Sequence, residues 1–289
     1  MNNTIFPYIS IKPDRISLYS RSEFTSTRTP FQVYNEKNLI NNSTNGKISK
    51  KAGQRIKLAI DWLLILADNK SFGRPKNGKF YNFKVNFVTL TLSSKQIHSD
   101  NEIKSKLLNH FLVVAKQKWG VRNYVWRAEP QKRGAIHFHI LTDKFIPWSE
   151  LRSTWNKIQE KLGYVSRFHM KHLHKNPNST DVHSIKKVKN LASYLSKYCA
   201  KENTGREIEG NQWGLSQGLS KLKSIIEIVD SKIQANVDKI KKEIQNKWVE
   251  FEYCSVMYVN ISNWWAGNTQ VLDNILVDYF RPLRKSGVI

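Results

Sequence analysis

Between residues 81 and 201 apolar side chains recur first at every second position and then at every third or fourth, and this repeated change of period restricts the chain to a mixed α+β fold. Phe87-Val88-Thr89-Leu90-Thr91-Leu92 alternates and is rich in β-branched residues, so it reads as a strand with its threonines on one face and apolar residues on the other. Ile103 to Trp119 reads as a helix through Leu107, Leu108, Phe111, Leu112, Val114 and Ala115, closed by Gly120. Val121 to Glu129 is a second strand, Pro130 to Gly134 a turn and Ala135 to Thr142 a third strand, which makes a hairpin. Pro147 and Gly163 frame a second helix carrying Leu151, Trp155, Ile158 and Leu162. The pattern then predicts a fourth strand over Tyr164 to Leu173 and a third helix over Ser184 to Lys201. Strand, helix, strand, strand, helix, strand, helix is a split βαβ arrangement, an antiparallel sheet with helices packed on one face.

The flanks are less regular. Residues 1 to about 50 are rich in Asn, Ser, Thr and Lys and read as an irregular or partly ordered arm, and from Ser49 a helical spacing of Ile56, Ala59, Ile60, Leu63, Leu64 and Ala67 predicts a helix of about 18 residues. Ser71 to Gly78 is a loop or hairpin tip. Within it Gly73 to Lys79 mimics a phosphate-binding loop, but Phe80 stands where a Ser or Thr must hold magnesium and a helix precedes instead of a strand, which excludes an ATPase site. After Gly214, Leu222, Ile226, Val229, Ile233, Val237, Ile240 and Ile244 predict an amphipathic helix of roughly 30 residues. Val249 to Ile261 reads as a strand and Val271 to Phe280 as a short helix. The expected organisation is an N-terminal arm and helix over 1–80, a central domain over 81–215 and a C-terminal helical and strand extension over 216–289.

Charge narrows the function. The chain has 47 Lys and Arg against 23 Asp and Glu, a formal net charge of +24. Solubility needs a net charge of only roughly 2–8, and clustered Lys and Arg gain affinity by releasing phosphate counterions, so a nucleic-acid partner is the first reading; a solvated surface from a Lys-rich proteome is the other. A 40% hydrophobic and 11% aromatic content excludes a wholly disordered basic tail. The longest apolar stretch, Leu58 to Ala67, is interrupted by Asp61, so no membrane span is expected. Met1 to Pro13 lacks the features of a secretory signal, and a cytoplasmic address is expected. Cys199 and Cys254 alone make neither a disulfide framework nor a Cys-rich zinc site.

Ile136-His137-Phe138-His139-Ile140 carries the sharpest chemical signal. Residues two apart on a strand share a face, so His137 and His139 project together while Ile136, Phe138 and Ile140 face the other way. Two imidazoles at this spacing can close on one divalent ion; the same pattern also suits polar residues on an open sheet. Glu129 ends the neighbouring strand, where hairpin pairing can bring it beside the pair as a third ligand, leaving positions open for water and phosphate. A salt bridge from Glu129 to Arg127 or Arg133 is the alternative. His169, His172, His174 and His183 form a second group, read mainly as a basic, phosphate-facing surface, with a rival metal site as the alternative because His172 and His174 have the same spacing as the first pair. Further on, Tyr194-Leu195-Ser196-Lys197 and Tyr198-Cys199-Ala200-Lys201 repeat a pattern that on a helix puts Tyr194 and Tyr198 on one face, each with a Lys three positions on. Leu191, Tyr194, Leu195 and Tyr198 also suit a helix core. Beside a metal, a phenol can attack a phosphodiester to leave a covalent phosphotyrosine, with Lys197 stabilising phosphate charge or assisting proton transfer.

These residues resemble the HUH endonuclease superfamily, and within it the rolling-circle replication initiators with two tyrosines found in small single-stranded DNA phages and related plasmids. Phe87 to Leu92 resembles the first strand motif, His137-Phe138-His139 the His-hydrophobic-His motif, and Tyr194 to Lys201 the Tyr-x-x-Lys-Tyr motif, with Arg206 to Ser216 similar to the segment that follows the tyrosine helix. The resemblance covers about residues 81 to 215. It implies Mg²⁺ or Mn²⁺ held by His137, His139 and a polar residue for which Glu129 fits. It also implies a five-stranded or similar sheet, and nicking of single-stranded DNA at a replication origin to leave a 3′ hydroxyl for a polymerase, with a host helicase supplying unwinding. A transposase or mobilisation relaxase shares this chemistry, and a non-catalytic module binding single-stranded nucleic acid would share the fold.

Overall fold

A computed structural model describes residues 5–12, 15–22, 48–67, 70–73, 80–83, 85–184, 206–222, 225–231, 234–235, 238, 242 and 248–258. Along the chain lie β1 (Ile5–Lys12), β2 (Arg15–Ser22), α1 (Lys50–Leu66), β3 (Lys70–Gly73), β4 (Phe80–Phe83) and β5 (Asn86–Thr91). Next come α2 (Asp100–Ile103), a π-helical stretch Lys104–Leu108, α3 (Asn109–Trp119), β6 (Tyr124–Pro130), β7 (Ile136–Thr142), α4 (Trp148–Glu160), α5 (Tyr164–His172) and β8 (Thr180–Ser184). The last are β9 (Trp213–Leu215), α6 (Gln217–Lys221), β10 (Ile225–Ile228), β11 (Trp248–Phe251) and β12 (Cys254–Tyr258). They divide into two compact units, one within residues 46–222 and one drawn from 1–45 and 223–288. The class is α+β, as the sequence pattern requires, with sheets that are antiparallel throughout. Among the described residues no helix is long and apolar enough to cross a membrane.

The unit within 46–222 is built on a five-stranded sheet in the order β8-β5-β7-β6-β9. One of its faces is apolar: Val88 and Leu90 of β5, Ala128 of β6 and Ile136, Phe138 and Ile140 of β7 are buried with Ile103, Leu107, Phe111, Leu151, Trp155, Ile158 and Tyr164 from the helical segments. Those helices begin and end where local chemistry dictates. The Ser99 hydroxyl accepts a hydrogen bond from the Glu102 backbone N–H at 3.1 Å, capping α2, and Gly120 takes the left-handed conformation that ends α3 (φ 69°). Ser49 caps α1 in the same way through the Ala52 N–H. Trp155 and Gln159 of α4 then grip the end of β5: the indole Nε1 donates to the Thr91 carbonyl at 2.8 Å, and the Gln159 Oε1 accepts from the Ser93 N–H at 2.8 Å.

Several local expectations are corrected. The segment read as a strand over Tyr164 to Leu173 is a helix over Tyr164–His172: Tyr164 and Val165 are buried, Ser166 and Arg167 exposed, and Phe168 and His169 half-buried, a period near 3.6. The strand expected there is β8, a polar segment whose pairing with β5 defines it. Lys70–Gly73 and Phe80–Phe83 pair as a hairpin, so Ser71 to Gly73, read as part of a loop or tip, belong to a strand, and residues 74–79 lie outside the described residues. In the other unit the supposed irregular arm contains β1 and β2, paired along their whole length in a sheet ordered β10-β1-β2-β12-β11. The long helix expected from Leu222 is interrupted at its start, because Ile225–Ile228 pairs with β1; the described residues from Ser231 to Lys242 are helical. Val249 to Ile261 is broken into β11 and β12 by the turn at Glu252 and Tyr253. β1 and β2 find partners in β10 and β12, more than 200 residues away, and such pairing overrides local period. Ser184 to Lys201 and Val271 to Phe280, apart from Ser184 itself, lie outside the described residues.

An ion pair between the buried Asp100 and the partly exposed Arg206 ties the β6–β7 turn to α2 and to the chain after residue 205. Asp100 is 3% exposed and accepts both Nη atoms of Arg206 at 2.6 Å, the Gln96 amide at 2.7 Å and the Glu209 N–H at 3.1 Å. Arg206 Nε donates to the Gly134 carbonyl, and the Gln96 Oε1 accepts from the Ile136 N–H. Burial alone would raise the Asp100 carboxyl, but Arg206, Gln96 and the Glu209 N–H outweigh it and hold the group below its ordinary value. A carboxyl depressed in the fold stabilises it fully above the unfolded value of about 3.9 and loses that contribution as pH falls through the folded value. Arg206→Ala should therefore destabilise this unit by about 2–3 kcal/mol at pH 7, toward the low end because the guanidinium is partly solvated. Its acid unfolding should begin at higher pH than in the wild type. Denaturant titrations followed by circular dichroism at pH 7 and pH 4 read both effects.

Candidate metal centre

Because β7 is the middle strand and buries Ile136, Phe138 and Ile140 on the helical side, its two histidines are forced onto the opposite face. Register then selects their neighbours. Thr91, His137 and Glu129 form one row across β5, β7 and β6, and Thr89, His139 and Arg127 the next, which Asp181 and Trp213 extend onto the edge strands. Directly opposed residues share a face, so these rows present a compact polar group.

The Glu129 Oε2 lies 3.7 Å from the Nε2 of both His137 and His139, and their ligand atoms fall within 4.8 Å of one another. Among the described residues this is the His, Cys and carboxylate group of three arranged to hold a metal ion. The two imidazoles meet edge to face at 4.6 Å, each side chain being 17% exposed. His137 Nε2 is buried and has no hydrogen-bond partner. Leaving such an atom unpaired is costly, and a cation coordinated there would satisfy it. The chemistry of the donors fits as well: two neutral imidazoles and one carboxylate suit a divalent ion, and bonds of about 2.1 Å from two ligands span a gap of this size.

Each ligand is held from behind. His139 Nδ1 lies 3.1 Å from the Thr89 hydroxyl, so Thr89 can accept a hydrogen bond from Nδ1–H, the tautomer in which Nε2 carries its lone pair toward Glu129. Phe87 stacks on the same ring at 5.3 Å. The other Glu129 oxygen, Oε1, is 2.8 Å from Arg127 Nε, a close ion pair outside hydrogen-bonding geometry, and the Arg127 side chain is only 2% exposed. One Glu129 oxygen thus faces the histidines and the other faces Arg127. Arg133, the other candidate partner, bonds instead to Gln131 Oε1 at 2.8 Å and to the Leu92 carbonyl. Burial pushes the Glu129 carboxyl up, but His137, His139 and Arg127 more than offset this, and the group is held below its ordinary value as a carboxylate.

Thr89 and Arg127 complete the centre, and they are legible in the sequence only in part: alternation along β5 puts the threonines on one face, but only the register sets Thr89 opposite His139. Among the described side chains, His169, His172 and His174 do not converge in this way. His172 and His174 pack against Phe168 at 4.4 and 4.9 Å on an exposed surface, and His169 lies on the same helix. Tyr194, Lys197 and Tyr198 lie outside the described residues.

An antiparallel sheet with helices on its apolar face and a His-His-carboxylate group on the other is an architecture compatible with an HUH-like fold. Residues 85–203 match the family model for replication-associated proteins of the ORF2 type, consistent with a Rep-type rolling-circle replication initiator. The match spans less than half of the chain and contains the whole candidate metal centre. It supports a replication-associated role and interaction with DNA. Searches of curated proteins and of solved structures returned no match.

Thr89→Val removes the hydroxyl but keeps the branched shape on β5. It should weaken Mn²⁺ binding about 10- to 100-fold, the usual effect of losing a partner that orients a ligating imidazole. Titration calorimetry with Mn²⁺ measures this, and an unchanged affinity would mean that Thr89 does not set the His139 tautomer.

Proposed function

We propose that the chain is a metal-dependent, site-specific endonuclease and strand transferase that starts rolling-circle replication by nicking single-stranded DNA at an origin. The observation that carries this reading is the convergence of Glu129, His137 and His139 on one open sheet face, inside a segment matched to a replication-associated family. Mg²⁺ or Mn²⁺ bound by these three side chains would polarise the scissile phosphate and neutralise charge that develops on it. His137 and His139 each present Nε2, Thr89 and Phe87 fix the His139 ring, and Arg127 keeps Glu129 ionised and oriented. Tyr194 is the initiating nucleophile: its phenolic oxygen bonds to phosphorus, its proton passes to a nearby base or water, and the 3′ oxygen of the leaving strand departs as the hydroxyl that primes a polymerase. Lys197 stabilises phosphate charge. Tyr198 accepts the strand in the second transfer, so the bond energy of the phosphotyrosine is kept for rejoining. This reading assigns the chemistry to residues 81–215, places the protein in the bacterial host cytoplasm, and leaves unwinding to a host helicase.

His137→Ala and His139→Ala should abolish nicking of single-stranded DNA from the protein's own replicon while largely sparing DNA binding, which the charge of +24 spreads over many side chains. Retention of the wild-type cutting rate by the double variant would remove the metal from the mechanism.

Tyr194→Phe should leave slow nicking through Tyr198, and Tyr194→Phe/Tyr198→Phe none. An SDS-resistant DNA adduct formed with Mn²⁺, followed by peptide mapping, identifies the attacking residue. Attachment to neither tyrosine would refute the covalent mechanism, and attachment to Tyr198 alone would reverse the order.

A further inference from the structure

On the side of the sheet away from the metal centre, α4 packs Leu151, Trp155 and Ile158 inward and leaves a groove along its outer surface. Four side chains give this groove its character. Trp148 is 61% exposed, the Arg152 guanidinium sits 5.1 Å from the centre of its ring, and Lys157 and Lys175 are exposed further along. The walls are fixed. Asn156, itself 8% exposed, donates to the Asn176 side chain at 3.3 Å and to the Pro177 carbonyl at 3.2 Å, and Arg152 Nη2 donates to Asn178 Oδ1 at 2.6 Å. Arg152 Nε is buried and has no hydrogen-bond partner, a donor left without an acceptor. Glu160 is the acid of the groove, and it is already engaged: its carboxylate accepts both the backbone N–H and the hydroxyl of Ser166.

We infer that this groove is a second binding site for single-stranded DNA, in which a base stacks on Trp148 and the flanking phosphates lie on Arg152, Lys157 and Lys175. The inference rests on the reading of the chain as a protein that acts on single-stranded DNA and adds where else the strand is held. Arg152 lies over the Trp148 ring, and the largely exposed indole offers the aromatic surface that a base requires. From Trp148 to Lys157 the helix rises about 14 Å, a span of a few nucleotides. Three cations against one occupied carboxylate favour a polyanion. A phosphodiester strand carries both the anions and the flat rings that this pairing of charge and indole would recognise; an acidic peptide carries only the anions. Because the groove and the metal centre lie on opposite faces of one sheet, the nucleotides held here are not those being cut.

The full-length protein and an oligothymidylate of thirty nucleotides test the site without any requirement for cutting. Trp148→Ala should weaken binding about 5- to 100-fold, the effect of one lost stacking contact. Lys157→Ala/Lys175→Ala touches only exposed side chains, and it should flatten the slope of log affinity against log salt concentration by about 1.4, or about 0.7 per phosphate released. The control pair Lys106→Ala/Lys116→Ala, on the π-helical stretch and α3, should leave that slope unchanged. An oligonucleotide carrying iododeoxyuridine should photocrosslink to the peptide containing Trp148. Wild-type affinity and slope in the groove variants, an equal loss in the control pair, crosslinks mapping elsewhere, or tighter binding of an acidic peptide than of DNA would each overturn the inference. Loss of binding in the groove variants with no covalent adduct from the wild type would instead overturn the nuclease reading and leave the groove standing.

Discussion

The pleat of β7 is the constraint from which the site follows. Burial of Ile136, Phe138 and Ile140 against the helices fixes which way the strand faces, and a slip of one residue would put two imidazoles into the apolar core. With that strand in the centre of the sheet, both neighbours must pair with it, and their registers deliver Thr89 and Thr91 from one side and Arg127 and Glu129 from the other. The ligands need no dedicated loop. They are positioned by the same hydrophobic burial that folds the unit, which gives a rigidity that a loop-borne site lacks.

Electrostatics follows the same economy. Glu129 is flanked by a buried guanidinium and two imidazoles, and its carboxyl stays ionised despite partial burial. Arg127 neutralises the oxygen that a metal would not use, so the carboxylate reaches the histidines through one oxygen. A lone carboxylate at this depth would tend to protonate and lose its value as a ligand.

The parts of this design legible in sequence are those with strong local period. Alternation marked β5 and β7 because each has one apolar and one polar face, and Ser49 and Gly120 announced helix ends through backbone groups that only such residues satisfy. The hairpin placed Glu129 near the histidines without any knowledge of the rest. What sequence hid is set by distance along the chain. Asp100 and Arg206 are 106 residues apart, and neither looks unusual where it stands. β8 carries Thr180, Asp181 and Ser184, and only its pairing to β5 makes it a strand. Ile225–Ile228 sits within a run of helical spacing and is a strand because β1 offers an edge. Tyr164 to His172 was ambiguous over so short a length, and burial of adjacent Tyr164 and Val165 settles it as a helix.

The anchor at Arg206 has a mechanical consequence. Asp100 and the Gly134 carbonyl pin that residue, and Lys104 holds the Glu209 and Asn211 carbonyls just beyond. β9 pairs with β6 over only three residues, so a pull on β9 would be carried in part through these side chains to α2 and to the turn of the hairpin that bears Glu129, His137 and His139.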